Sequence, residues 1–175
     1  MSIANFESVV SNARRRAIRL KEREVVPRVS DLHAVMASTR GKLEIEYTGE
    51  ESSEEEVVNR LVGRAVKAVF DSHFQPDDFE EVVAEFEKGA AMEAGAALPA
   101  SEYMEFYVHL PAVKEKVKRL GIGESPGELA AACELILEGL HLHHRLNKEQ
   151  LLEGTRYRKM ERRAAYEPRG GNDLV

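Results

Sequence analysis

Residues 53–70 read SEEEVVNRLVGRAVKAVF and form the strongest helical pattern in the chain. Ser53 and Glu56 have the spacing of a capping box, in which each side chain accepts a hydrogen bond from the other residue's backbone N–H. Apolar residues then follow in adjacent pairs at intervals of four: Val57/Val58, Leu61/Val62, Ala65/Val66 and Val69/Phe70. Two apolar positions in each turn make a wide buried stripe, so this segment is predicted to be a central core helix.

A second long helix is predicted after Ser125-Pro126, because serine favours the N-cap and proline favours the first helical position. Its apolar residues run on to Leu146-Asn147, where the helix is expected to end. Two packing spines are therefore expected, one in each helix: Val58, Leu61, Val62, Val66 and Val69 in the first, and Leu129, Leu135, Ile136 and Leu140 in the second.

The rest of the chain also shows mainly helical periodicity, so the fold class is predicted to be mainly all-α, with six or seven helices in a bundle-like arrangement. Residues 43–47 (LEIEY) alternate apolar and polar, which is typical of a strand. A single strand needs a partner, and Ala91–Ala94 is the candidate for a minor β-pair. Residues 149–152 are interpreted as a last amphipathic turn.

Composition excludes several classes of protein. The chain has 175 residues, 43% of them hydrophobic and 32% charged, which is enough for one packed core or two small ones. The net charge of −6 argues against a nucleic-acid coat. No apolar run reaches the length of a membrane span, and no secretory signal is visible at the N-terminus. The single Cys133 excludes an internal disulfide, so a reducing cytoplasm is the expected compartment.

Three side chains suggest a metal site on the second long helix. Glu138, His141 and His144 lie three residues apart and would share one helical face, with Glu134 one turn earlier. Helical di-metal sites use such a Glu-x-x-His pair, but they need a second pair on a facing helix, and the sequence contains none. The preferred interpretation is that these histidines lie at the C-terminus of the helix, where their partial positive charge interacts favourably with the helix dipole. A helical metal-binding protein stays a minor alternative.

The arginine cluster of the first helix comprises Arg14, Arg15, Arg16 and Arg19. It is interpreted first as a solvated face near the helix C-terminus; a nucleic-acid patch and a phosphate or subunit contact are the alternatives. Cys133 lies on an apolar helical side and is expected to be a small buried hydrophobe. The chain has neither G-x-x-x-x-G-K-[ST] nor G-x-G-x-x-G, so we expect it to have no phosphate cradle of its own.

Seven stretches together resemble the C-terminal portion of bacterial magnesium-chelatase-like AAA+ ATPases. They are residues 2–7 (SIANFE), 10–13 (VSNA), 26–32 (VPRVSDL), 38–44 (STRGKLE), 98–103 (LPASEY), 136–141 (ILEGLH) and 145–148 (RLNK). Their order and spacing carry the resemblance, which extends from residue 1 to about residue 158.

The resemblance implies a lid remainder followed by a helical extension. On this view residues 1–75 are a helical lid-like region, 76–153 are the extension, and 154–175 are a flexible basic and polar tail. The phosphate loop, the magnesium-binding motif and the sensor arginine would belong to a preceding core that this chain lacks. ATP and Mg²⁺ would bind to that core, so no catalytic or cofactor-binding residue is assigned here, and the isolated chain is expected not to be an enzyme.

The function that the resemblance implies is mechanical. The module would move as a lid, contact sister subunits of a ring and dock a protein client, without binding nucleic acid or membrane. Where the ATPase core sits, an apolar patch should be exposed, and Ile3, Phe6 and Val10 of the first helix are its candidates. The alternative is a free-standing helical adaptor that binds a protein partner.

Overall fold

The computed structural model describes residues 2–42 and 53–160, and these residues are mainly helical, as predicted. They contain seven α-helices, three short 3₁₀ segments and three strands. The helices are α1 Ser2–Leu20, α2 Val35–Thr39, α3 Glu54–His73, α4 Glu80–Glu87, α5 Ala100–His109, α6 Pro111–Val117 and α7 Pro126–Leu142. The 3₁₀ segments are Val29–Ala34, Pro76–Phe79 and Lys118–Leu120. The strands are β1 Met92–Ala94, β2 Leu146–Leu151 and β3 Gly154–Lys159.

Helix α7 is the centre of the molecule. Ser125 caps it and Pro126 occupies its first turn, as expected from the sequence, and Glu128 completes a capping box with Ser125. The end expected at Leu146-Asn147 is wrong, because α7 ends at Leu142 and Leu146 begins β2. Its buried residues cover most of the helix circumference, because α3, α5 and β2 all pack against it, while the side with Ala131 and Leu135 is only partly buried. The buried residues are Gly127, Leu129, Ala130, Ala132, Cys133, Glu134, Ile136, Leu137, Glu138, Gly139 and Leu140.

The prediction that residues 53–70 form the central helix is wrong, although the helix and its Ser53–Glu56 capping box are confirmed. Helix α3 covers one side of α7 and buries only Val58, Val66 and Phe70. Leu61 and Val69, two members of the expected spine, are half exposed. In each apolar pair only one residue can point directly at a single neighbouring helix, so the other stays at the edge of the contact.

The three strands form an antiparallel sheet in the order β1-β3-β2. The β2–β3 hairpin pairs Leu146 with Lys159 and Leu151 with Gly154. Residues 149–152 therefore belong to the hairpin, and their interpretation as a helical turn is wrong. The flexible tail expected from Gly154 is also wrong for residues 154–159, because they form the middle strand.

Strand β1 confirms that Ala91–Ala94 contains a strand, but the partner shown is β3, with Met92 opposite Tyr157 and Ala94 opposite Thr155. The other predicted strand, residues 43–47, lies outside the described residues, as does the rest of the predicted tail, residues 161–175. Where β1 leaves the sheet, Gly154 permits a close approach: a Cβ there would lie 2.6 Å from the Ala94 carbonyl oxygen.

One hydrophobic core connects these elements. It includes Phe70 from α3, Phe74 directly after α3, Phe86 from α4, Tyr103 from α5 and Tyr157 from β3. The core thus crosses the boundary expected at residue 75, while the division into a lid-like region and an extension stays a prediction. Among the described helices, none is both long and apolar enough to cross a membrane.

The contact between α3 and α7 depends on Gly139. A Cβ at this position would lie 2.0 Å from Cδ2 of Phe70, whereas one at Gly63 would meet only Leu142 Cδ2 at 3.6 Å. Alanine is the better helix former by about 1 kcal/mol, but overpacking a core costs about 1–3 kcal/mol. We expect Gly139→Ala to lower the free energy of unfolding in urea and Gly63→Ala to leave it equal or raise it. Equal stability of both variants would contradict this helix contact.

Candidate functional site

The candidate docking surface is the N-terminal half of α1. Ile3 is 74% exposed and Phe6 is 70% exposed, and Val10 is partly buried on the same side. Ala13 and Ala17, further along the same side of the helix, are buried where α1 packs against the 3₁₀ segment 29–34 and α2. The structure therefore places two of the three predicted residues on the surface and the third at its margin.

The C-terminal half of α1 is held by a buried arginine. Arg16 Nη2 contacts Asp31 Oδ2 at 3.0 Å, its Nη1 contacts Glu22 Oε2 at 2.6 Å, and its Nη2 also donates to the Val26 carbonyl at 2.6 Å. The interpretation of the arginine cluster as a solvated face is wrong for Arg16, since Arg14, Arg15 and Arg19 alone are exposed. The neighbouring carboxylates raise the pKa of Arg16 although its burial acts to lower it.

A second buried arginine extends this network toward α5. Arg28 Nη2 contacts Glu22 Oε1 at 2.6 Å, and its Nη1 donates to the Leu98 carbonyl at 2.8 Å. Its guanidinium also lies over the Tyr103 ring, 5.1 Å from the centroid. Two arginines and two carboxylates, Glu22 and Asp31, thus balance one another at the base of α1.

The network reaches the central helix through Glu134. This carboxylate accepts hydrogen bonds from the Ser30 backbone N–H at 2.7 Å, the Ser30 hydroxyl at 3.0 Å and the Tyr103 hydroxyl at 2.5 Å. Burial raises the pKa of Glu134, while these hydrogen bonds and the charge of Arg28 oppose the rise. A direct chain of contacts therefore connects α1, the 3₁₀ segment 29–34 and α7.

Glu138 repeats the arrangement one turn later on α7. Its carboxylate is paired with Lys148 Nζ at 2.8 Å and accepts a hydrogen bond from the Tyr157 hydroxyl. Glu134 and Glu138 both line a cleft of about 980 Å³, bounded also by α3 and the β-hairpin. Both carboxylates are therefore already engaged by neighbouring groups within the described residues.

The structure does not bring the predicted metal residues together. Glu138 is occupied by Lys148 and Tyr157, and His141 Nδ1 contacts the Leu146 carbonyl oxygen at 3.1 Å. His144 lies beyond the end of α7 with a φ of 57°, so the expectation that it shares the helical face is wrong. Within residues 2–42 and 53–160, no group of three metal-ligating side chains is close enough to hold an ion.

Cys133 is buried, as predicted, and burial raises the pKa of its thiol to about 12. The buried network of Arg16, Glu22, Arg28 and Asp31 was not predicted from the sequence. Its members are four of the eight charged residues at positions 16–31, and nothing in the sequence distinguishes them from the exposed ones.

Comparisons with family models, curated proteins and solved structures found no significant match to this chain. The resemblance to magnesium-chelatase-like ATPases accordingly stays a prediction from the residues that carry it.

Removing Arg16 should destabilise the fold strongly. In an Arg16→Met variant the carboxylates of Asp31 and Glu22 stay near a site that has lost its charge, which costs about 3–5 kcal/mol. Arg15→Met, one residue away and exposed, should change stability by no more than about 0.5 kcal/mol. Urea unfolding measures the free energy of unfolding of the two variants. Similar losses of stability in both would contradict a stabilising role for the buried ion pairs of Arg16.

The raised pKa of Glu134 gives stability a defined pH dependence. The folded protein holds this proton more readily than the unfolded chain, so the stability from protonation is complete below the unfolded pKa of about 4.3. That stability is lost as the pH rises through the folded pKa. Glu134→Gln cannot titrate, so the stability of the wild type relative to this variant should fall with rising pH. A relative stability that grows with pH, measured by urea unfolding, would indicate a lowered pKa instead.

Proposed function

We propose that this chain is the non-catalytic C-terminal helical module of a magnesium-chelatase-like AAA+ ATPase, and that it docks on the ATPase core through α1. The observation that carries the proposal is the exposure of Ile3 and Phe6 on the first turns of α1. Large apolar side chains that cluster on a surface favour a protein contact. The resemblance of residues 2–7 and 10–13 to the ATPase family falls on this same part of the helix.

In this proposal α1 transmits movement of the core to the rest of the module. Its C-terminal half is fixed by Arg16, whose buried ion pairs resist bending relative to the 3₁₀ segment 29–34. Ser30 then passes the constraint to Glu134 on α7. A displacement of the N-terminal half of α1 would therefore turn α1 and α7 together rather than deform the joint between them.

The chemistry stays with the core. ATP hydrolysis needs a phosphate cradle, a held magnesium ion and a positioned water. We propose that the core supplies these and that this chain contributes lid movement, contacts with sister subunits and a surface for a protein client. The proposed location is the cytoplasm, and neither nucleic acid nor membrane is a proposed partner.

Calorimetry tests the proposal. It measures the binding of this chain to the purified nucleotide-binding core of a magnesium-chelatase-like ATPase from the same genome. Burying one large apolar side chain such as Ile or Phe contributes about 1.5–3 kcal/mol. Replacing both residues, by Ile3→Ser and Phe6→Ser, should therefore weaken binding at least about tenfold. Val108→Ser on α5 is the control, because Val108 is 66% exposed and lies on a different helix.

Two results would contradict the proposed function. One is a wild-type chain that does not bind the core, or binds it equally well after the Ile3 and Phe6 substitutions; binding of another protein through α1 would then favour the free-standing adaptor. The other is magnesium-dependent ATP hydrolysis by the purified chain alone. Far-UV circular dichroism of each variant separates loss of binding from loss of fold.

A further inference from the structure

A second surface feature lies on the side of α4 and α5. A groove of about 460 Å³ runs between α4, β1 and α5. Phe86, Met92 and Phe106 supply much of its apolar lining, and the rings of Phe86 and Phe106 meet edge to face with centroids 6.2 Å apart. Phe86 and Met92 are anchored in the core, so the groove is a fixed feature of the fold. Its volume is in the range of sites that take up an apolar group.

The rim of this groove is acidic. Glu85, Glu93, Glu102 and Glu105 all line it. Glu85 is paired with Lys88 at 2.7 Å, and Glu93 is paired with Arg156 at 2.6 Å. Glu102 and Glu105 engage no hydrogen-bonding or ionic partner in the part of the chain that the structure describes. An apolar side chain flanked by two cations would match this groove in shape and in charge.

Helix α1 carries such a group near its C-terminal end. Ile18 is 70% exposed, and Arg14 and Arg15 precede it by four and three residues, so the three side chains share one face. Both arginines are exposed. Arg15 donates to the neutral Asn12 amide oxygen at 3.1 Å, and within the described ranges Arg14 has no side-chain partner.

The two features lie near each other on the surface. Arg19, the neighbour of Ile18, donates to the Ala96 carbonyl at 2.5 Å, and Leu98, two residues further on, lines the groove. When two complementary patches lie on one surface, a two-fold axis lets each copy's patch meet the other's groove, and the contact is then made twice.

We propose that a second copy of this chain occupies the groove. Ile18 of each copy enters the groove of the other, and Arg14 and Arg15 face Glu102 and Glu105 across the dimer. This self-association does not rest on the proposed function, which uses Ile3 and Phe6 in the first turns of α1 rather than the residues near its C-terminal end. The apolar contact is small and the charges are exposed, so the dimer is expected to be weak and to dissociate as salt is added.

Sedimentation equilibrium of the chain from micromolar to near-millimolar concentration tests this, with circular dichroism to confirm that each variant folds. We expect a monomer–dimer equilibrium whose dissociation constant rises at least about tenfold in the pair Glu102→Lys and Glu105→Lys, and likewise in the pair Arg14→Glu and Arg15→Glu. Ile18→Ser, a change at an exposed position, should have the same effect. Glu55→Lys with Glu87→Lys makes an equal change of net charge on α3 and α4 and should leave the dimer intact.

Mixing the two charge-reversed proteins is the decisive measurement. In a homodimer of either variant, like charges face each other across both contacts. In a mixed dimer, Arg14 and Arg15 of the Glu102→Lys, Glu105→Lys protein meet the unchanged Glu102 and Glu105 of its partner. At the second contact both sets of charges are reversed, so they are again opposite in sign. A one-to-one heterodimer should therefore form, seen with a size tag on one protein. A monomeric wild type, a dimer unaffected by the reversals, or a mixture that stays monomeric would each overturn the proposal.

Discussion

The buried ion pair between Arg16 and Asp31 is the constraint on which the arrangement of the N-terminal third depends. Both side chains are almost entirely removed from water. Desolvating two charges is costly, so the pair persists only because Glu22, the Val26 carbonyl and Asn12 satisfy the remaining donors and acceptors. These partners come from α1, from the loop that follows it and from the 3₁₀ segment 29–34, and so fix how the chain turns back on itself.

Buried carboxylates on the central helix are likewise compensated by neighbouring hydrogen-bond donors. Helix α7 buries most of its residues, yet it carries two carboxylates, Glu134 and Glu138, one turn apart. Each is matched by a tyrosine hydroxyl, from Tyr103 on α5 and from Tyr157 on β3. Burial raises the pKa of both tyrosines, so each keeps its proton and acts as a donor. The polar contacts of α7 therefore specify which surface of α5 and which strand of the sheet lie against it.

For the proposed function, the relevant feature is that both halves of α1 are tied to the rest of the fold. The Asn5 side chain accepts hydrogen bonds from the Ser38 hydroxyl at 2.7 Å and the Thr39 hydroxyl at 3.3 Å, and Arg16 holds the C-terminal half through its ion pairs. The exposed apolar residues of α1 are carried by a segment whose base cannot swing independently, which is what a docking element that transmits movement requires. Ile18 and its flanking arginines lie in the C-terminal half of the same helix, so the proposed contact with an ATPase core and the proposed contact with a second copy use different side chains.

Local chemistry, and therefore the sequence, determined where the two long helices begin: the capping box at Ser53, the N-cap at Ser125 and the helical periods that follow could be predicted. The end of α7 could not, since it was expected at Leu146-Asn147 and lies at Leu142. The exposure of Ile3 and Phe6 was expected only from the resemblance to the ATPase family. The sheet could not be predicted, because β3 is rich in charged residues and takes its place through pairing with β2 in a hairpin and with β1, more than sixty residues away. Nor could the buried network, since Arg16 and the exposed Arg15 differ in no local property. Only the tertiary structure decided which arginine faces Asp31, which of α3 and α7 is central and where Glu134 and Glu138 find their partners, because burial is a property of the whole packing and not of the residue.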